Sequence, residues 1–167
     1  MPSTRDNINR IRKFSRLPGY YRQVTSLFEG AYSDSSIAWI AFLAGNSAIS
    51  KEDFQRVGGF DPEFRHWGFE HFELGFRLLK AGIQICHLPA AASYHIPHQR
   101  TPGYFRKNIE RSAALFSSKH PTVKVDLLTE FLFGAISLQD FELRFSQKVS
   151  SSLLGRKPIF YTQLQTV

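Results

Sequence analysis

Apolar residues along this chain change their spacing several times, and each change predicts an element. Across residues 67–82, Phe72, Phe76 and Leu79 recur at i, i+4 and i+7, while Leu74 and Leu78 widen the stripe. That spacing predicts a helix with one buried face. Glu73 and Arg77 stand four apart on it, acid before base, the favourable order for an ion pair. Gly82 suits the position just past its end. Upstream, the continuous apolar run at 37–45, extending to 49, predicts a buried central strand. Ser50 reads as an N-cap with Asp53 in the first turn, opening a short helix that Gly58 and Gly59 end. The segment 58–64, with Asp61-Pro62, is turn chemistry.

The flanks follow the same logic. Pro18-Gly19 marks a turn before a short helix. Residues 83–89 and 91–98 read as two short extended segments. From Pro102 a long helix is predicted, with Phe105, Ile109, Ala113 and Phe116 on one face and Arg106, Lys107 and Arg111 around the other. It stops before His120-Pro121, because a residue preceding proline disfavours helix. Residues 125–138 predict a second apolar helix, and the tail beyond Lys148 reads as peripheral. The order is helix, strand, helix, turn, helix, two strands, two helices. This is an α/β chain with too few strands for an independent sheet, and it is expected to complete a larger one. Three regions are expected: a basic segment and short helix at 1–36, a central region at 37–120, and a helix with a peripheral tail at 121–167.

Composition narrows the class. With 167 residues, 43% hydrophobic and 14% aromatic, the chain is about one domain and able to bury a core. Its net charge of +7 points to anionic partners. Residues 1–22 hold six Arg or Lys against the single acid Asp6, and so carry most of that excess. Such a start reads as a solvated segment, as a transit peptide, or as an arm for phosphate or a membrane surface giving peripheral membrane contact. The single cysteine, Cys86, excludes an intrachain disulfide and fits a reducing, cytoplasmic setting. No apolar run approaches the ~20 residues of a spanning helix. No interleaved basic and aromatic motif supports specific nucleic-acid binding.

Candidate chemistry gathers at "WGFEHFELGFRL". Glu70 falls in the first turn of its helix, where unpaired N–H groups favour negative charge. A carboxylate held there can take a proton from a substrate hydroxyl, or serve only the helix dipole. His71, about 100° around the helix, is a second candidate base. Glu73 is placed to orient a substrate or to pair with Arg77. His95 and His98 are candidate ligands for a divalent cation, and Pro97 between them argues against a helical two-histidine site. No role falls to His66, His87 or His120.

Several motifs appear in order: Gly45-Asn46-Ser47-Ala48-Ile49, then Gly58-Gly59-Phe60-Asp61, then Trp67 to Leu78, then Pro89 followed by His95. Together they resemble the C-terminal half of GT-A-type glycosyltransferases of family two, the segment called the galactosyltransferase C-terminal domain. The similarity covers 37–98 well and 103–120 more loosely. It implies a partial GT-A fold, nucleotide-diphospho-sugar transferase-like, whose N-terminal donor-binding half lies outside this sequence. It implies a nucleotide-diphosphate sugar donor and a carbohydrate or lipid-linked hydroxyl acceptor. It also implies a divalent cation, Mn²⁺ or Mg²⁺, that stabilises the departing diphosphate. Glu70 and His71 take the place of the family's Glu-Asp pair. Asn46, Trp67, Gly68 and Glu73 fall on its substrate-binding positions, and His95, with His98 beside it, falls on its metal histidine. The family's Asp-x-Asp occurs nowhere in the sequence. The chain is therefore expected to be a fragment or a split-enzyme component that uses a partner chain for the donor half. The alternatives are a non-catalytic sugar- or partner-binding remnant, or a basic nucleic-acid- or membrane-binding domain.

Overall fold

The computed structural model describes residues 4–95, 101–146 and, for the backbone, 158–166. In chain order the elements are α1 (Thr4–Phe14), α2 (Gly19–Val24), α3 (Lys51–Arg56), α4 (Glu70–Lys80) and β1 (Gln84–His95). They continue with α5 (Tyr104–Lys119), α6 (Val125–Leu132), α7 (Leu138–Ser146) and β2 (Pro158–Thr166). Short 3₁₀ turns occupy Thr25–Leu27, Ala38–Ala41 and Ala44–Asn46.

The largest departure from expectation lies at residues 37–49, which form no strand. Ile37, Trp39, Ile40 and Ala41 are fully buried, but in 3₁₀ turns whose N–H groups bond locally, as from Ile40 to Ile37 O at 3.0 Å and from Phe42 to Trp39 O at 3.2 Å. An apolar run announces burial, and periodicity alone cannot say which backbone is buried. Here helices surround the segment. The Trp39 ring stacks on Phe116 of α5 and meets Phe72 and Phe76 of α4 and Phe145 of α7. The Tyr20 hydroxyl of α2 donates to Ile40 O at 2.6 Å. With neighbouring side chains on every side, local bonds satisfy the polar backbone where a strand would need a partner edge.

Gly75 is what lets α4 lie this close. A Cβ there would stand 2.6 Å from Trp39 O and 2.8 Å from Phe42 Cβ, so the helix and the 3₁₀ turn touch backbone to backbone. At its end α4 behaves as expected. Gly82 at φ 88° donates to Leu79 O, and Ile83 donates to Leu78 O, two bonds that satisfy the last carbonyls. Ser50 caps α3 as expected, its Oγ accepting from Asp53 N at 2.9 Å.

Other expectations need correcting. The two extended segments at 83–89 and 91–98 are one strand through His95, and the residues past His95 lie outside the described residues. Pro89 leaves its mark in the pairing: β1 runs parallel to β2, but the register jumps between Leu88 and Ala92, where Pro89 has no N–H to give. The tail expected to be peripheral thus supplies β1's partner strand. The helix expected at 125–138 is two. Gly134 at φ 74° ends α6, and Ser137 opens α7, its Oγ accepting from Asp140 N at 3.0 Å. Phe105 continues the apolar face of α5 in sequence, yet is 49% exposed, whereas Ile109 and Phe116 are buried. Along α1, Arg10, Arg12 and Lys13 are exposed and Ile11 is half-buried, so this basic helix sends little of its surface into the core.

Gly75→Ala should lower stability by about 2 kcal/mol, because overpacking against backbone outweighs the roughly 1 kcal/mol gained in helix propensity. Gly19→Ala, which meets nothing within 4 Å, should change it by less than about 0.5 kcal/mol. Urea denaturation of the two variants tests the contact. Equal stability would show that α4 can step back from Trp39.

Candidate functional site

α4 begins at Glu70, so the expected helix-start carboxylate is where the sequence put it. The turn before it is tight. Glu70 N–H donates to Gly68 O at 2.7 Å, and Glu73 N–H donates to Phe69 O at 2.8 Å. Phe69 is fully buried and anchors the turn edge-on against Phe72 and Phe116. The Glu70 side chain is about one-third exposed (32%). Its Oε1 lies 3.4 Å from His71 Nδ1, while its Oε2 is shielded from solvent with no hydrogen-bond partner among the described residues. His71 is mostly buried, its ring edge-on to Phe72 at 4.3 Å. A carboxylate oxygen left unpaired away from water costs about 1–3 kcal/mol, so such a group is ordinarily satisfied by water, an ion or a ligand where the chain offers no partner.

Glu73 turns elsewhere. It is 2% exposed, and its two oxygens bind Arg77 Nε and Nη2 at 2.6 Å each, while His120 Nε2 meets Oε1 at 2.8 Å. Arg77 also reaches the carbonyls of Val57 and Gly59. Both oxygens of Glu73 are thus occupied by side chains of the protein, and the geometry favours pairing over substrate orientation. His120, given no role from sequence, closes this network, and nothing in its local spacing marks it. Beside it Lys119 pairs with Asp61 at 2.8 Å and with Glu63 at 2.6 Å. The ammonium's hydrogen bond holds the Asp61 carboxyl below its ordinary range. A concavity of about 530 Å³ opens over these residues, lined by Gly58, Asp61, Glu63, Glu73, Arg77 and His120. Glu70, His71, Asn46 and Trp67 do not line it, and its charges are paired among themselves.

The remaining expected positions scatter. Gly68, at φ 125°, is buried, and a Cβ there would point at Ser112 Oγ of α5, 3.7 Å away. A side chain would fit there, so it is the left-handed φ that calls for glycine. Trp67 is exposed beside Tyr104 and Phe105. Asn46 ends the 44–46 turn, half-buried. His95 stands exposed at the end of β1, and His98 lies outside the described residues. Among the described residues no three His, Cys, Asp or Glu side chains gather as a cation would require. His95 alone does not fit a divalent cation.

A helix-start carboxylate against an imidazole, flanked by an exposed tryptophan, has the makings of an acid/base centre. Comparison with known proteins is specific about the class. A family model described as the N-terminal domain of galactosyltransferase matches residues 28–99. Validoxylamine A glucosyltransferase of Streptomyces hygroscopicus subsp. jinggangensis (strain 5008) is 31% identical over 118 residues, 68% of this chain and 28% of that protein. Chondroitin synthase of Pasteurella multocida (strain Pm70) is 44% identical over 62 residues, 37% of this chain and 6% of that one. Human polypeptide N-acetylgalactosaminyltransferase 3 is 33% identical over 69 residues, 41% of this chain and 11% of that one. No solved structure matches. These matches support a place for the chain in a glycosyltransferase family, and the chain spans less than a third of each of these three relatives.

Arg77→Leu should lower stability by about 3 kcal/mol, because it leaves a buried carboxylate with His120 as its remaining side-chain partner among the described residues. The double variant Glu73→Leu/Arg77→Leu should recover most of that loss. Chemical denaturation of both decides it, and a single variant as stable as the parent would mean that Glu73 is not held by charge.

Proposed function

We propose that this chain is the acceptor-and-base part of a GT-A-type glycosyltransferase, the C-terminal catalytic half, moving a sugar from a nucleotide-diphosphate donor to a hydroxyl acceptor. The observation that carries the reading is Glu70: a helix-start carboxylate with one oxygen unpartnered, set within the ordered motifs of residues 45–78. Names among the relatives favour hexose or N-acetylhexosamine transfer, to acceptors that range from validoxylamine A to a polypeptide.

In the reaction, Glu70 accepts the proton of the acceptor hydroxyl as that oxygen attacks the anomeric carbon. The new glycosidic C–O bond forms while the bond to the diphosphate breaks, and the diphosphate leaves with the electron pair. His71, 3.4 Å from Oε1, orients the carboxylate or shares its proton. Donor binding falls to a separate half, supplied by a longer protein or by a partner chain. A cation such as Mn²⁺ or Mg²⁺ would draw its ligands chiefly from there, with His95 at most joining them. The basic α1 is available for peripheral contact with an anionic surface, and no helix among the described residues is long and apolar enough to cross a membrane.

With the donor half supplied in trans and a panel of nucleotide sugars, Glu70→Gln should cut kcat by about 10²–10⁴-fold, the usual reach of general-base catalysis. The circular dichroism spectrum should stay unchanged. His71→Gln should cost less. Normal turnover in Glu70→Gln would remove Glu70 from the chemistry, and glycan binding without turnover in any pairing would favour a binding module.

A further inference from the structure

Resting on that reading, we propose that Lys107 and Arg111, on the outer face of α5, form a cationic track for an acidic glycan acceptor, held by carboxylates that neutral sugars space apart. Of the four cations of α5, the first and last are engaged. Arg106 lies 3.6 Å from Glu110 and over the Phe133 ring at 4.4 Å. Lys119 pairs with Asp61 and Glu63. Lys107 and Arg111 are exposed and have no side-chain partner among the described residues. Four residues apart, they stand roughly 40° apart around the helix. They share one line along it, opposite the buried Ile109 and Phe116.

This arrangement works against the helix that carries it. Like charges one turn apart repel, and Lys107 stands in the first turn, at the positive end of the helix dipole. No acid occupies that turn to offset it. Glu110, three residues on from Lys107, turns to Arg106 instead. A negative partner from outside the chain answers both repulsions. The pair is also tied to the candidate site. Asn108 and Ser112, the next residues along, abut Gly68, whose Cβ would stand 4.0 Å from Asn108 O and 3.7 Å from Ser112 Oγ. Gly68 precedes Glu70 by two residues. An acceptor that extends from Glu70 across this turn of α5 meets both cations. Glu110 narrows its chemistry. That carboxylate is 58% exposed in the same stretch, so it repels a backbone charged on every unit more than a chain of spaced carboxylates. A uronate glycan has that spacing, together with the hydroxyls that the proposed reaction needs.

Binding of the full chain to labelled octasaccharides of hyaluronan and of galacturonate, followed by fluorescence anisotropy, tests the track. At least one should bind, with an affinity that falls as salt rises, and its carboxyl-reduced, neutral form should not. Lys107→Gln/Arg111→Gln should weaken binding about tenfold, the reach of two exposed charge contacts. Lys107→Arg/Arg111→Lys should keep it. Arg10→Gln/Arg12→Gln, which removes two exposed cations of α1, should leave it unchanged, so that the track is told apart from net charge. The melting temperature of Lys107→Gln/Arg111→Gln should match or exceed the parent's, because the repulsion is gone. Glu70→Gln, the test of the catalytic reading, should bind as the parent does, so either failure shows without the other. Binding of neither octasaccharide would overturn the proposal. So would an equal loss in the α1 variant, or single-stranded DNA of equal charge competing as strongly as the better glycan.

Discussion

The buried carboxylate of Glu73 is the interaction on which the rest of the arrangement depends. It lies in the core face of α4, where an ionised group is tolerable only when paired and fully hydrogen-bonded. Its two cationic or donor partners come from different places: Arg77 one turn along, and His120 at the far end of α5. Arg77 then extends the tie to the carbonyls of Val57 and Gly59. A single side chain thus sets the angle between α4 and α5 and holds the 57–63 turn against both. The orientation of α4 decides where its first residue, Glu70, is presented.

The two acids of the opening motif therefore divide their labour by environment. They stand three residues apart on one helix, yet one is sealed and saturated while the other is one-third exposed with an oxygen to spare. Stability rests on the first, and the proposed base chemistry on the second. That separation lets the site carry an under-satisfied group without loosening the helix that holds it.

What could be read in advance follows from how local each signal is. The α4 start and stop, the Ser50 cap and the extent of α5 were legible because caps, glycines and helical spacing act over a few residues. Gly134 and the Ser137–Asp140 cap were equally local signals, outvoted by the apolar run through 125–138. The backbone at 37–49 was not legible, since a buried run of Ala, Ile and Trp says nothing about which neighbours will cover it. Trp39 meets three helices that come later in the chain. At the candidate site, the helix-start position of Glu70 was legible from local spacing. The exposure of Phe105 was not, because it depends on where α5 is pinned. His120 was overlooked for the same reason: its partner is remote in sequence.

The way α5 is held has a dynamic consequence. Its C-terminal end is nailed down by Lys119 to Asp61 and Glu63 and by His120 to Glu73. Its N-terminal end has ring contacts with Trp67 and the Arg106 guanidinium over Phe133, and no ion pair to another element among the described residues. Such a helix frays from one end alone, so protection of its amides from solvent exchange should rise steadily from Tyr104 toward Lys119. The first turn of α5 is then the end expected to open first, while the phenylalanine core beneath its C-terminal half stays closed.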